Sequence, residues 1–412
     1  MNRSRPPLVP PSLNTLLDKQ ERTVRSLFIS SYIPRRCGIA TFTKDLTKAI
    51  NDLNPESLSQ IIAVDEEPGQ FTYPGEVIGR ITCNKQPSYL QAATQINASS
   101  AEIVCLQHEY GLFGGGNSGP YILDLLSAID RPIITTLHTI LDNPSAEHRE
   151  VLGEIVKLSD IIITQLPHAK ERIAEHFGIN SERIVVVPHG VTDRPRAGKV
   201  LKPKFGWSSH RVLLMSGLMS PGKGVDYVIK ALPAIVEKFP ETLFVVVGQT
   251  HPDILKRDGE QYREYLLQLA DQLNVSKHFK LVNSYLPLDE LLEYYEACDI
   301  YLTPHLDPQQ VSSGTLAYAL GMGKACISTP YVYARELLSQ DRGVLVDFES
   351  SEQIAQATIA LFSDPQAMES METSAYQLGR TMSWPRVAQR YLNLFRLVLD
   401  VQDRVLANEP SR

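Results

Sequence analysis

No apolar run in this 412-residue chain approaches the ~18 residues that a membrane-spanning helix needs. Cysteine is scarce as well. The five, Cys37, Cys83, Cys105, Cys298 and Cys326, are odd in number, scattered and without metal-ligand spacing. A disulfide framework is therefore not expected, and a reducing, cytoplasmic setting is. Basic excess is missing too: the formal charge of -7 argues against nucleic acid as the main partner, because phosphate backbones demand a basic footprint. Residues 1–24 carry charge and proline but no apolar signal core, and read as a flexible leader. There is no short internal repeat and no low-complexity segment.

What is present is the composition of a globular protein, 43% hydrophobic and 21% charged, at a length that suits two domains. From Ser26 onward short β-rich runs (SLFIS, QIIAV, EIVCLQ, PIITTLH, DIIITQ, IVVVPHG) alternate with amphipathic stretches near 41–53, 86–98, 145–157 and 167–177. Runs that are apolar with little alternation fit parallel strands covered on both faces. The alternation breaks at 193–210, with its prolines, glycines and basic residues, and restarts with RVLLMSG, TLFVVVG, FKLVN, DIYLTP, ACIST and GVLVDF. The expected architecture is α/β, two doubly wound Rossmann-like domains facing across a cleft. The boundaries are 25–195 for the first domain, 196–209 for a linker and 210–383 for the second. A terminal helical segment, 384–412, is expected to pack back on the first domain.

Three strand-to-helix turns carry the chemistry. GLMSPGKG, 217–224, begins like an ATP-binding P-loop, but Gly224 stands where a Ser or Thr would hold magnesium. Gly217 and Gly222 permit tight, positive-φ backbone, the following helix offers unpaired N–H groups, and Lys223 adds a point charge. The reading is a metal-free diphosphate site; the bland alternative is a turn with a surface lysine. In PRRCGIATFTKDL, 34–46, Gly38 allows close backbone approach and Thr41 or Thr43 is the expected helix cap. In the third turn Ser312, Ser313, Gly314 and Thr315 are good capping residues whose amides would also meet an anion.

In the first domain His108, Glu109, His138 and His189 stand at strand ends, and the glycines 114–116 read as a mobile loop. A single strand-end histidine is more often a satisfied structural residue; three together point to a functional rim. No pair has zinc spacing.

The chain resembles the GT-B-fold, retaining glycosyltransferases of family 4 from about Ser26 to Phe395. The resemblance is carried by SGLMSPGKGVDYVIKALP, by LFVVVGQT with Gly248, by LPLDELLEYYEACDIYLTP and by SSGTLAYALGMGKACISTPYVYARELL. HGV at 189–191 is similar to the family's Asn-Gly-Val. It implies a nucleotide-sugar donor (UDP-, GDP- or ADP-hexose) with no further cofactor and no obligatory metal. Lys223 would neutralise the diphosphate, Gly38 would lie beside it, His108 would sit near the reacting sugar, and Asn283, Ser284 and Tyr285 would hold the base. The acceptor, a carbohydrate or glycoconjugate, would be held mainly by the first domain, with Arg35, Arg36, Glu109, His138 and His189 as candidates.

The chain also departs from the pattern. Gln310 (or Gln309) and Tyr318 stand where the family carries Glu-x7-Glu, and Leu218 where many members have a phosphate-binding arginine. Gln310 can still hydrogen-bond a sugar hydroxyl, Tyr318 can offer a phenol, and Arg35 or Arg36 would replace the lost cation. The expected activity is retaining, metal-independent hexosyl transfer. Its rivals are a non-catalytic nucleotide-sugar-binding protein and a sugar-nucleotide epimerase or phosphorylase of the same fold. Donor base, acceptor identity, oligomeric state and peripheral membrane association are left open by the sequence.

Overall fold

The computed structural model describes residues 22–141, 143–196 and 200–408. The expected leader lies outside these as far as residue 21, as do residues 197–199 of the expected linker. The described chain forms two compact units, one running to Gly190 and resuming at Trp384, the other Val191–Ser383.

Unit one holds seven strands: β1 Ser26–Ser30, β2 Gln60–Asp65, β3 Val77–Thr82, β4 Ile103–His108, β5 Ile133–Leu137, β6 Ile161–Thr164 and β7 Ile184–Val186. They are all parallel, in the order β3-β2-β1-β4-β5-β6-β7. The lack of alternation in the strand sequences follows from burial on both faces. Phe28 of β1 points into one core while its neighbours Leu27 and Ile29 point into the other. The helix Trp384–Asn408 supplies Trp384, Val387, Tyr391 and Phe395 to the first of these cores, with the Tyr391 hydroxyl 2.9 Å from Thr136 Oγ1.

Unit two holds six strands: β8 Arg211–Ser216, β9 Thr242–Val247, β10 Phe279–Val282, β11 Ile300–Thr303, β12 Ala325–Ser328 and β13 Val344–Leu345. They are parallel in the order β10-β9-β8-β11-β12-β13. The helix Val225–Lys238 packs here through Val225, Val228, Ile229, Leu232 and Ile235, a stripe with helical spacing. Asp299 locks the start of the unit: its Oδ2 accepts from Val212 N at 2.7 Å and from Lys202 Nζ at 2.6 Å.

Each sheet reverses its winding once, between β1 and β4 in unit one and between β8 and β11 in unit two. At such a switch point the flanking turns diverge beyond the carboxyl ends of the strands, leaving a crevice for a ligand. No helix among the described residues is long and apolar enough to cross a membrane.

Candidate functional site

In unit two the turns flanking the switch point are 217–224, after β8, and 304–313, after β11. Gly217, with φ 117°, carries the chain out of β8, and buried Gly248 packs flush against it at the end of β9. Gly224 adopts φ 68°, and a β-carbon there would stand 2.1 Å from the carbonyl oxygen of Pro304. Leu306 N donates to Gly222 O at 2.9 Å, so the two turns are joined by backbone. One expectation is corrected here: Gly222 has no positive φ and no neighbour within 4 Å of an added β-carbon. Gly224 is the residue that needs to be glycine.

Lys223 is half-buried, and its ammonium has no ion pair or hydrogen bond among the described residues. Burial pushes its ammonium down to about 8. An ammonium taken from water without a counter-charge is costly unless an anion arrives. Close by, His305 is buried, stacked on Tyr331 with ring centroids 5.3 Å apart, and felt by the charge of Lys223.

Ser313 caps the helix Gly314–Gly321, its Oγ accepting from Leu316 N at 3.3 Å. The amides of Gly314 and Thr315 open that helix and have no carbonyl inside it to meet. The side chain of Gln310 lies between His305 and the carbonyl of Ser312. Tyr318 is buried further along the helix. Asn283 and Tyr285 are exposed beyond β10.

The sequence reading missed Arg263, a buried arginine on the helix Gln261–Gln272 that donates to Gly248 O at 2.9 Å. Its Nη1 is buried with no partner. Nothing in a solvated helical pattern marks such a residue.

In unit one His108 closes β4 with 1% exposure and Nδ1 unpartnered. Burial pushes it down to about 4, so the ring is neutral at pH 7. Glu109 follows it, accepting from Thr139 Oγ1 at 2.8 Å and from Tyr110 N at 2.9 Å. Burial raises this carboxyl to about 7. Tyr110, also missed, places its ring 5.2 Å from that of His108 and has a buried hydroxyl without a partner.

His138 and His189 form a second group around Phe42, at 4.7 Å and 5.1 Å. His138 is clamped at both nitrogens, Nε2 on Gln107 Oε1 at 2.8 Å and Nδ1 on Gln165 Nε2 at 3.3 Å. His189 Nδ1 donates to Gly190 O at 2.7 Å.

The 34–46 turn differs from expectation in its cap. Cys37, not Thr41 or Thr43, caps the helix Gly38–Leu53, its Sγ accepting from Ala40 N. Thr41 and Thr43 lie inside the helix, and Thr43 turns to Ser30 at 2.7 Å. Gly38 has no neighbour within 4 Å of an added β-carbon, so the fold itself does not demand glycine there. Arg35 is bound to Glu66 at 2.9 Å and to Val64 O at 3.2 Å, while Arg36 is exposed. The glycines 114–116 are not uniformly open either: Gly114 is buried against Cys83, and its amide donates to the Tyr89 hydroxyl at 2.8 Å. Among the described residues no three His, Cys, Asp or Glu side chains group as a metal-ligand set.

Comparison with known proteins bears on both units. A model of glycosyl transferases group 1 matches residues 200–378, and one of glycosyltransferase family 4 matches residues 87–194. The D-inositol 3-phosphate glycosyltransferase of Corynebacterium glutamicum (strain R) is 25% identical over 288 residues, 64% of this chain and 66% of that protein. The phosphatidyl-myo-inositol mannosyltransferase of Mycolicibacterium smegmatis is 22% identical over 66% of this chain and 67% of its own. The chain thus spans just under two thirds of the corynebacterial relative's length.

Among solved structures, sucrose-phosphate synthase from Thermosynechococcus elongatus superposes with a TM-score of 0.73 at 14% identity, over 92% of this chain and 100% of that one. Anabaena HepE, solved in complex with UDP, superposes with a TM-score of 0.71 at 16% identity, over 90% and 100%. At these identities the likeness concerns fold: two parallel-sheet, Rossmann-like units.

Proposed function

We propose that the chain is a GT-B glycosyltransferase of group 1 and family 4, the families whose models match residues 200–378 and 87–194, and that it moves a hexose from a nucleoside-diphosphate sugar to an acceptor hydroxyl with retention of configuration. The observation that carries this reading is Lys223, a half-buried ammonium with no counter-ion among the described residues, at the switch point of unit two. A diphosphate is the anion that fits. The ammonium meets its charge, and the Gly314 and Thr315 amides supply further N–H groups to its oxygens. In this reading neither role is given to a metal.

In the reaction the bond from the anomeric carbon to the diphosphate oxygen breaks and a bond to the acceptor oxygen forms. The acceptor proton passes to the departing phosphate oxygen, and a nucleoside diphosphate leaves. Electrostatic stabilisation of that leaving group is the main contribution of the protein. Asn283 and Tyr285 contact the base. Gln310 and Tyr318 hydrogen-bond the donor as neutral groups. His108 is uncharged at pH 7, and its unpartnered Nδ1 orients the transferring sugar.

Unit one takes the acceptor, through Glu109 and the 34–46 turn. The relatives named for D-inositol 3-phosphate and phosphatidyl-myo-inositol make cyclitol phosphates the first acceptors to try, with simple carbohydrates beside them. The test is incubation with UDP-, GDP- and ADP-hexoses and each acceptor, read by mass spectrometry. A glycosylated product supports the proposal. Binding of a nucleotide sugar with neither transfer nor hydrolysis favours a binding protein on the same scaffold, a reading motivated by the neutral Gln310 and Tyr318.

A further inference from the structure

His305 lies outside every motif that the sequence reading used, yet it stands where the two anion-facing segments of unit two meet. On one side Leu306 N holds Gly222 O at 2.9 Å, and Gly224 fits against Pro304 O. On the other, His305 Nδ1 lies 3.0 Å from Gln310 Oε1, and Gln310 Nε2 donates to Ser312 O at 2.8 Å. Ser312 directly precedes the cap of the helix Gly314–Gly321. From below, the ring is stacked on Tyr331 at 16°, and its own carbonyl accepts from Thr329 Oγ1 at 2.5 Å.

These contacts determine where the ring proton sits. A carbonyl oxygen only accepts, so the contact with Ser312 O must be made by the NH2 end of Gln310. Its Oε1 therefore faces His305, and two acceptors cannot share a hydrogen bond, so Nδ1 carries the proton. Nε2 keeps its lone pair. A second proton is opposed by burial and by the neighbouring ammonium of Lys223, while the bond to Gln310 favours it less strongly. The other titratable groups nearby do not offset this. The Tyr331 phenol is pushed up to about 12 by burial. Asp307 turns its carboxylate to Gln309 N at 2.9 Å.

We propose that His305 is a positioning residue for the donor diphosphate: a neutral, Nδ1-protonated ring that ties the Lys223 turn to the amides at 314 and 315 through Gln310, without drawing on the lysine's charge. This rests on the reading of unit two as the donor site. A glutamate at 310, as the family resemblance implies for relatives, would stabilise an imidazolium here and place a carboxylate beside the phosphate-binding ammonium. The neutral pair leaves the whole of that charge to the ligand.

Two measurements on the full chain test this. In a long-range 15N–1H spectrum of the histidine rings, the set lost in His305→Asn is expected to show Nδ1–H and to stay unchanged from about pH 5.5 to about 8. An Nε2–H pattern, or titration to imidazolium in that range, overturns the assignment whatever the protein's activity. In calorimetric titrations with UDP, GDP and ADP, the nucleotide that binds wild type is expected to bind His305→Phe about tenfold more weakly. His305→Asn, whose amide N–H replaces Nδ1–H, should recover affinity to within about threefold. Equal weakening in both variants, or none in either, overturns the positioning role. Should His305→Phe not fold, His305→Leu removes the same ring hydrogen bond to Gln310 and carries the same expectation of about tenfold. If no nucleotide binds wild type, the donor-site reading fails and the positioning role falls with it, while the ring spectrum still decides the tautomer.

Discussion

Gly248 lies so close to Gly217 that a β-carbon on it would stand 1.8 Å from the Gly217 carbonyl oxygen. The contact joins the end of β9 to the turn that carries Lys223. Gly248→Ala must push that turn away, at a cost of about 1–3 kcal/mol for overpacking. Its backbone, at φ 154°, is one that L side chains rarely adopt, which adds to the cost. Urea unfolding should show the loss, and nucleotide binding should weaken with it.

The helix Trp384–Asn408 depends on a second close approach. A β-carbon on Gly190 would lie 2.1 Å from Trp384 Cε3. Gly190→Ala should therefore unseat the start of that helix from the Phe42 and Tyr391 core, again at about 1–3 kcal/mol. In a Trp207→Phe background Trp384 is the sole tryptophan, and its emission should shift to longer wavelength.

Unit one should lose stability in mild acid. Burial pushes His108 and His189 down to about 4 and His138 to about 3, all below the 6.5 of a free ring. Between about pH 6.5 and about pH 4.5 the unfolded chain binds these protons and the folded chain does not, so stability falls with pH. Glu109 acts in the opposite sense. Its folded value, raised to about 7 by burial, means the folded chain already holds that proton.

Three protons gained on unfolding minus one held in the fold leaves a net uptake of two. Each is worth at most about 1.4 kcal/mol per pH unit. Urea midpoints should fall across the window, and Glu109→Gln should steepen the fall. A flat profile would mean the histidines are open to solvent.

Much of the fold was legible because parallel strands buried on both faces leave continuous apolar runs, and SLFIS, TLFVVV and ACIST all became strands. Turn chemistry was less legible. Gly222 and Gly224 look alike in sequence, and only the approach of Pro304 separates them. Threonine is a better cap by type than cysteine, yet Thr43 was taken by Ser30 inside the core, leaving the cap to Cys37. Gln107 on β4 and Gln165 just past the end of β6 clamp His138, and no local pattern relates them. His305 was hidden for the same reason, since its meaning comes from Gly222, Gln310 and Tyr331 at once. Sequence offers Arg35 or Arg36 as the replacement for the lost phosphate-binding cation, but it does not reveal that Glu66 from the next strand end pairs with Arg35.

Lys223 can be examined alone by titrating UDP, GDP and ADP into wild type and Lys223→Met. At pH 7 at least one nucleotide should bind wild type, and the variant should bind it some 10–100-fold more weakly, as loss of a charged hydrogen bond requires. Folding should not suffer, because the variant removes a half-buried cation that has no partner. Burial lowers this ammonium to about 8. Wild-type affinity should therefore hold below that pH and decline above it, and the variant should lose this dependence. Undiminished nucleotide binding by Lys223→Met would show that the diphosphate is held elsewhere.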